Sequence, residues 1–448
     1  MLPAANGFYI LSKTSGTFNP VLNLEYYNDN LERIYVKNIS STNQEDHVGL
    51  AFFNGDLYTF NALFSKSAQQ NILSAQKVGT GGNPGAPSNI GFIAADKIAA
   101  RGNFRVAASP NGQYLAVVSI KPSKKEEAGS VTVNIFKNGF STPETAQFIP
   151  AEGRIPLYEV FVNNSGVTFL VSETSGKGIP PGFSIRSVAG TDIKEHILSF
   201  DGKKESYKHH AQLLSNGDMA VGGYFTEEGK VRAGMGTALR GAFMHVVKGD
   251  GSSEVISSTY PFEKRKNVEP RYIYQLGDRV VMAGEDYSVI DKAPERDPSK
   301  PVSSSQLMER DYEYYGFDIF LDGFTSSNGL VFSAKLDKDM RSKNDQGGPV
   351  SFMAVPKDGK LHLLYNDDGH KYAEKKKWIV VGGNKVVVHS ILDPITGVVS
   401  PPDAVDAGSA GGKQGDMLLR PGAFLVKDGN IIVRGDNPKF YRAGKMEL

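Results

Sequence analysis

His209 and His210 stand side by side in a chain with only eight histidines, and they are the natural place to look for paired metal ligands or a general base. No His-Glu-x-x-His spacing or nearby carboxylate pattern accompanies them. The run around them reads as a strand, where consecutive side chains point to opposite faces, so one ring packs and the other meets solvent. His370, within Asn366-Asp367-Asp368-Gly369-His370, falls in a turn. Three oxygen-rich clusters offer themselves to calcium: Glu285-Asp286, Asp337-Lys338-Asp339 and Asn366-Asp367-Asp368. A hard cation needs about six to eight oxygens, and none of the three has the spacing of an EF-hand loop. Asp and Asn are also the residues that hairpin turns select, so the clusters read as turns and no metal ligand is assigned.

The densest aromatic group is Asp311-Tyr312-Glu313-Tyr314-Tyr315-Gly316-Phe317. Its rings can stack on a sugar or a peptide, with Glu313 as the polar anchor. In a strand, alternation instead puts Tyr312 and Tyr314 on one face and Glu313 and Tyr315 on the other, which also suits packing between sheets. The ligand-binding candidates are therefore Tyr312, Glu313, Tyr314 and Tyr315, joined by His209 and His210. Two glycine-rich runs fail as phosphate loops. In 408–413 the spacing is too short and Gln414 stands where Ser or Thr should hold magnesium; 234–241 lacks the third glycine and any βαβ context. No cofactor and no catalytic residue is expected from these motifs.

Composition narrows the classes further. Fifty basic and 49 acidic residues give a formal charge of +1, which predicts neither a nucleic-acid partner nor a membrane surface. With no cysteine, disulfides, thiolate metal sites and cysteine nucleophiles are excluded. A cysteine-free chain of 448 residues suits export through an oxidising compartment. Met1-Leu2-Pro3-Ala4-Ala5-Asn6 lacks a signal-peptide pattern, so the expectation is an exported protein read without its leader; the alternative is cytoplasmic. No run approaches the roughly 18 apolar residues of a spanning helix, so no transmembrane segment is expected.

The elements that must position these residues are strands. An Asn-Gly or Asp-Gly phrase before an apolar run recurs with its glycine at 55, 112, 166, 217 and 277, in steps of 57, 54, 51 and 60. Such dipeptides tolerate the positive φ of a tight hairpin, and a fixed return implies a repeat of small antiparallel sheets. The expected fold is all-β, a β-propeller of four-stranded antiparallel blades forming one domain over 1–448 and acting as a monomer. Blades are expected near 46–80, 104–150, 157–198, 210–258, 271–340 and 350–400. Residues 7–40 and 417–445 would merge into a blade closed by both termini, which makes seven; six or eight are the alternatives. Short helices are expected at 94–100 and 65–73, and long irregular loops at 79–93, 290–311 and 400–416.

Ser109-Pro110-Asn111-Gly112-Gln113-Tyr114-Leu115-Ala116-Val117-Val118-Ser119 resembles the repeat of TolB-like propellers, which implies that fold and, for TolB, a periplasmic interaction role. Runs at 213–225, 281–287, 331–337 and 361–367 resemble a diffuse set of uncharacterised, exported bacterial propeller proteins. That group supplies no catalytic residues to transfer. Trp378 is the sole tryptophan, which argues against WD40 repeats.

The expected function is a non-enzymatic propeller presenting a surface to a protein, peptide or glycan. The alternative is a propeller hydrolase or lyase acting on carbohydrate, whose acidic groups would come from separate blades and leave no spacing signature.

Overall fold

The computed structural model describes the chain except residues 15–20, 40–44, 124–127, 151–157, 177–178, 201–203, 228–236, 252, 260–264, 293–310, 369–384, 406–417, 438–439 and 448. His370, Trp378, the glycine-rich run 408–413 and residues 234–236 of the run 234–241 lie outside the described residues. The fold is an all-β propeller of antiparallel blades. Eight sheets follow one another along the chain, over 2–38, 45–94, 103–148, 159–199, 204–259, 268–343, 352–404 and 418–447, numbered here blades 1 to 8. Blades 1 to 5 and 7 have four strands each, paired in chain order. Three strands of blade 8 are described, and blade 6 adds a fifth. No helix among the described residues is long and apolar enough to cross a membrane.

Eight blades correct the expected seven. Leu2–Ala4, too short and proline-bearing to read as a strand, pairs with Gly7–Tyr9 and completes blade 1 from the N-terminal segment itself. The C-terminal strands form a separate sheet, so the two end segments count as two blades. Of the two expected helices, one is absent and the other is shorter than expected. Residues 65–73 are the turn and flanks of a hairpin in which Ser65 pairs with Gln70 and Gln69 takes a φ of 52°. Within 94–100 there is a single helical turn, Ile98–Ala100. The expected loop 79–93 contains most of Ser88–Ala94, the fourth strand of blade 2; the glycine- and proline-rich run before it hid it.

The chain divides into two compact units. One comprises Met1–Gly202, Leu213–Ala220 and His245–Glu254; the other comprises Lys203–Gln212, Val221–Met244 and Val255–Leu448. In both, the apolar core lies between the faces of successive blades. Phe53, Phe60 and Leu73 of blade 2 meet Phe104, Leu115 and Val117 of blade 3 in the first unit. In the second, Val281, Ile319 and Leu321 of blade 6 meet Phe352, Leu363 and Tyr365 of blade 7. Alternation along each strand sends odd and even residues to opposite neighbours, so both faces are apolar.

The repeated turn phrase resolves into two devices. Asn54-Gly55, Asp358-Gly359 and Asp428-Gly429 have φ positive at both residues, with Asn or Asp near 50° and Gly at 75–81°, the two-residue hairpin turn. The turns at Ser109–Tyr114, Asn163–Val167 and Leu214–Asp218 are longer, and each closes with two backbone hydrogen bonds. In the second of these, Asn163 Oδ1 accepts from the amides of Ser165 (3.0 Å) and Val167 (2.9 Å). These turns also join blade to blade. Asn54 N donates to Gly112 O (2.8 Å), Asn111 N to Asn164 Oδ1 (2.9 Å), and Asn163 Nδ2 to Gly217 O (3.2 Å). The phrase that marks the repeat is therefore also the seam that links blades 2 to 5.

Asn163 is buried and Asn164 exposed, which separates their expected costs. Asn163→Ala removes the turn closure and one seam bond, and should cost about 2–3 kcal/mol in urea unfolding, while Asn164→Ala should cost under about 1 kcal/mol. Equal losses in the two variants would contradict this account of the seam.

Candidate functional site

Blade 6 differs from its neighbours in having two very long strands, Arg279–Lys292 and Asp311–Thr325. Its first strand, Val268–Leu276, pairs only as far as Asp286, opposite Val268. Beyond that point 287–292 and 311–316 continue as a two-stranded arm, widened by Met340–Lys343, which pairs with 313–316. The arm carries all four tyrosine-cluster candidates. On one face Tyr315 Oη donates to Glu313 Oε2 (2.6 Å), Phe317 stacks on Tyr315 with ring centres 5.9 Å apart, and the Arg341 guanidinium covers both rings. On the other, Tyr314 and Tyr287 crowd Gly347, where a Cβ would lie 2.8 Å from Tyr314 Cδ1 and 2.7 Å from Tyr287 Oη. Tyr312 is 39% exposed, with Val289 and Ile290 at 42% and 41% on the pairing strand. His209 and His210 lie elsewhere, half-buried on Lys204–Leu213, the first strand of blade 5. The six sequence candidates thus fall on two blades.

At the base of the arm the three oxygen-rich clusters do converge, but on an ammonium group. Glu285 and Lys338 are both buried, and Lys338 Nζ donates to Glu285 Oε1. Ser351 Oγ donates to Glu285 Oε2 (2.7 Å). Asp367 Oδ1 accepts from the amides of Asp339 (3.0 Å) and Asp368 (2.8 Å). Burial pushes the Lys338 ammonium down from its usual range, and Glu285 and then Asp367 oppose that shift. Asn366 is spent on the backbone: Nδ2 donates to Pro349 O and Leu419 O, and Oδ1 accepts from Leu419 N, which ties blade 7 to blade 8. Gly316 lets the arm approach, since a Cβ there would lie 2.8 Å from Glu285 Oε1. Among the described residues, no three His, Asp or Glu side chains are grouped to hold a metal ion. A second buried acid, Asp322, is likewise enclosed. It accepts from Arg265 Nη1 with both oxygens (3.2 and 2.9 Å), from Tyr224 Oη (3.0 Å) and from Ser333 Oγ (2.5 Å).

The cluster opens through Arg271, on the first strand of blade 6. Its guanidinium lies 4.6 Å over the Tyr287 ring and the residue is 31% exposed. Glu269 Oε2 and Glu285 Oε2 stand at ion-pair distance, 3.4 and 3.7 Å, yet the buried Arg271 Nε has no hydrogen-bond partner among the described residues. Glu269 also reaches Lys208 of blade 5 at 3.6 Å. Beside this row, Asp286 is pushed up to about 6 by burial and by the charges of Asp318 and Glu285, against the pull of Lys266 and Lys338. Tyr207 of blade 5 is raised by burial, then by Glu269 and Asp286. Chemically the site offers a preorganised fork of donors on an aromatic plate and one carboxyl group able to carry a proton near neutrality. Sequence reading named Glu285 and Asp286 as possible oxygen ligands but had no signal for Arg271, whose partners lie 14 and 16 positions away.

No family model matches the chain, and no curated protein matches it. Solved structures align with the chain at low identity and low structural score. The β-propeller domain of the Trilobed protease from Pyrococcus furiosus is 11% identical, covering 91% of this chain and 96% of that one, with a TM-score of 0.35. The WD40 domain of SCAP from fission yeast is 10% identical over 99% of this chain and 91% of that one, with a TM-score of 0.38. A europium-containing methanol dehydrogenase is 10% identical over 96% of this chain and 81% of that one, with a TM-score of 0.42. At these scores the likenesses carry no argument about this chain and assign no functional family.

Two measurements check the electrostatics. Lys338→Met strands Glu285 as a buried unpaired charge and should cost about 3–5 kcal/mol, whereas pairing it with Glu285→Met should recover most of the loss. A double variant no more stable than the single would refute the pairing. For Asp286 the folded-state value lies above the unfolded 3.8, so the folded protein binds the proton more tightly. Stability should therefore fall as pH rises from about 4 to about 6, and Asp286→Asn should stabilise the protein by about 1–2 kcal/mol at pH 7.5 but not at pH 4, after allowance for partial solvent screening. A pH-independent effect would argue against this sign.

Proposed function

We propose that this protein is a non-enzymatic binding propeller in which blade 6 receives a protein, peptide or glycan at Arg271 and the adjoining arm. The observation that carries the reading is a partly exposed guanidinium held over the Tyr287 ring, whose Nε has no hydrogen-bond partner among the described residues. Holding the fork in place beforehand removes the ordering cost that binding a carboxylate or hydroxyl acceptor would otherwise incur. The exposed Val289 and Tyr312, which share one face of the arm, supply an apolar and aromatic platform on the same blade. The buried acids Glu285 and Asp322 support a structural assignment for those groups, because their oxygens already receive lysine, arginine or hydroxyl donors. A cysteine-free composition supports an exported location.

The carbohydrate hydrolase or lyase reading draws on one observation, the raised Asp286 carboxyl beside Asp318 and Glu285. Screening the purified protein on peptide and glycan arrays, then titrating the best ligand, separates the two. Arg271→Ala should weaken binding by about 10- to 100-fold with an unchanged melting temperature, and Arg271→Lys should not restore it, since an ammonium lacks the planar fork. Equal affinity of the Ala variant, or no ligand on either array, counts against the binding role. Release of product from a polysaccharide that disappears in Asp286→Asn would favour the enzyme.

A further inference from the structure

Blade 7 carries a histidine pair separate from the blade 6 site. His362 on Lys360–Asp368 and His389 on Lys385–Leu392 approach with Nδ1 and Nε2 3.0 Å apart. The ring planes differ by 12° and the centres are 5.2 Å apart. That separation equals the nitrogen–nitrogen distance plus the two centre-to-nitrogen lengths, so the nitrogens point head-on and do not converge on a third atom. Only one proton fits between them: one ring donates and the other accepts. Burial holds both imidazoles below their usual range, with His389 adding to the shift of His362 and Asp403 opposing that of His389.

The pair shares its sheet face with a shallow groove of about 400 Å³ lined by Lys360, Ile391, Asp393, Thr396, Val398 and Ser400. His362 stands directly opposite Ile391, and Lys360 precedes it by two positions on the same face. The groove hydroxyls already act as acceptors. Ser400 Oγ takes the amide of Ile391 (2.9 Å), and Thr396 Oγ1 takes that of Val398 (3.3 Å). Asp393 Oδ1 takes the amides of Ile395 and Thr396. What these residues have left is two hydroxyl protons and the Lys360 ammonium, which has no ion-pair partner among the described residues, beside the second carboxylate oxygen of Asp393. The charged neighbours of the pair are Lys357, Asp358 and Lys360 on its hairpin, with Asp403 across from His389. The blade 8 residues packed on this face, Leu419, Ile431, Val433, Phe424 and Met446, are apolar.

We propose that the blade 7 groove binds an oxyanion, a carboxylate or phosphate group, and that the His362–His389 pair tightens this binding as it takes up one shared proton. Lys360, Ser400 and Thr396 make the direct contacts. The protonated pair adds one positive charge beside them, and its head-on geometry refuses a second.

Calorimetric titration with sulfate, whose charge is constant over the range, tests both parts. Sulfate should bind about five- to tenfold more tightly near pH 5.5 than near pH 7.5. Lys360→Ala, at an exposed position, should abolish binding at both. His389→Gln should keep the neutral-pH affinity and lose the acid enhancement. Parallel titrations with acetate and inorganic phosphate identify whether the planar or the tetrahedral group fits better. Absence of saturable binding by all three anions overturns the groove as a site. Equal wild-type sulfate affinity at the two pH values, or an acid enhancement that survives in His389→Gln, overturns the role of the pair.

Discussion

Every blade is a thin antiparallel sheet with two apolar faces, and both must be covered by a neighbour. Strand alternation dictates this directly, because odd and even residues leave opposite sides of the same sheet. The largest buried side chains, Phe53 and Phe60 between blades 2 and 3 and Phe352 and Tyr365 between blades 6 and 7, are the result. A polar side chain caught between faces has no water to turn to, so it must carry its partner with it. Glu285 with Lys338, and Asp322 with Arg265, Tyr224 and Ser333, obey that constraint. Their role is set by where they are buried more than by which residues they are.

The same constraint explains where groups remain open. Arg271 lies at the margin of a buried cluster, near enough to Glu285 for a Coulombic attraction yet too far for a hydrogen bond. Tyr287 holds the guanidinium from below, so it is ordered without being satisfied. Asp286 is the counterpart on the acidic side: half-buried, flanked by two like charges, and correspondingly reluctant to ionise. On blade 7 the groove residues sit where the last strands shorten to a two-residue pairing, Asp403–Ala404, and the sheet no longer covers its own polar groups.

Much of the fold was legible along the chain, because hairpin chemistry is local. Asn-Gly and Asp-Gly pairs announce positive φ, and the apolar runs beside them announce strands; six blade positions follow within a few residues at most ends. The count was not legible. It turned on Leu2–Ala4, three residues whose strand character comes entirely from pairing with Gly7–Tyr9. The fourth strand of blade 2, Ser88–Ala94, escaped for a different reason, since it follows a run of glycines and prolines that reads as loop. The tyrosine cluster was visible, and its two faces follow the alternation read from the sequence. That it stands on an arm extending beyond its blade depends on the first strand stopping at Val268.

The sequence by itself determined the class of fold, the repeat, the hairpin turns and the exclusion of thiol chemistry, since each rests on residue type or on contacts a few positions apart. The tertiary structure decided which charges meet. Glu285 and Asp367 are brought from two strands and Lys338 from a connection between strands, Arg271 is set on Tyr287, and His362 is aligned head-on with His389. Hydrogen bonds and ion pairs act over a few ångströms of space, and residues 16 to 66 positions apart reach that distance only when strands have paired and blades have packed.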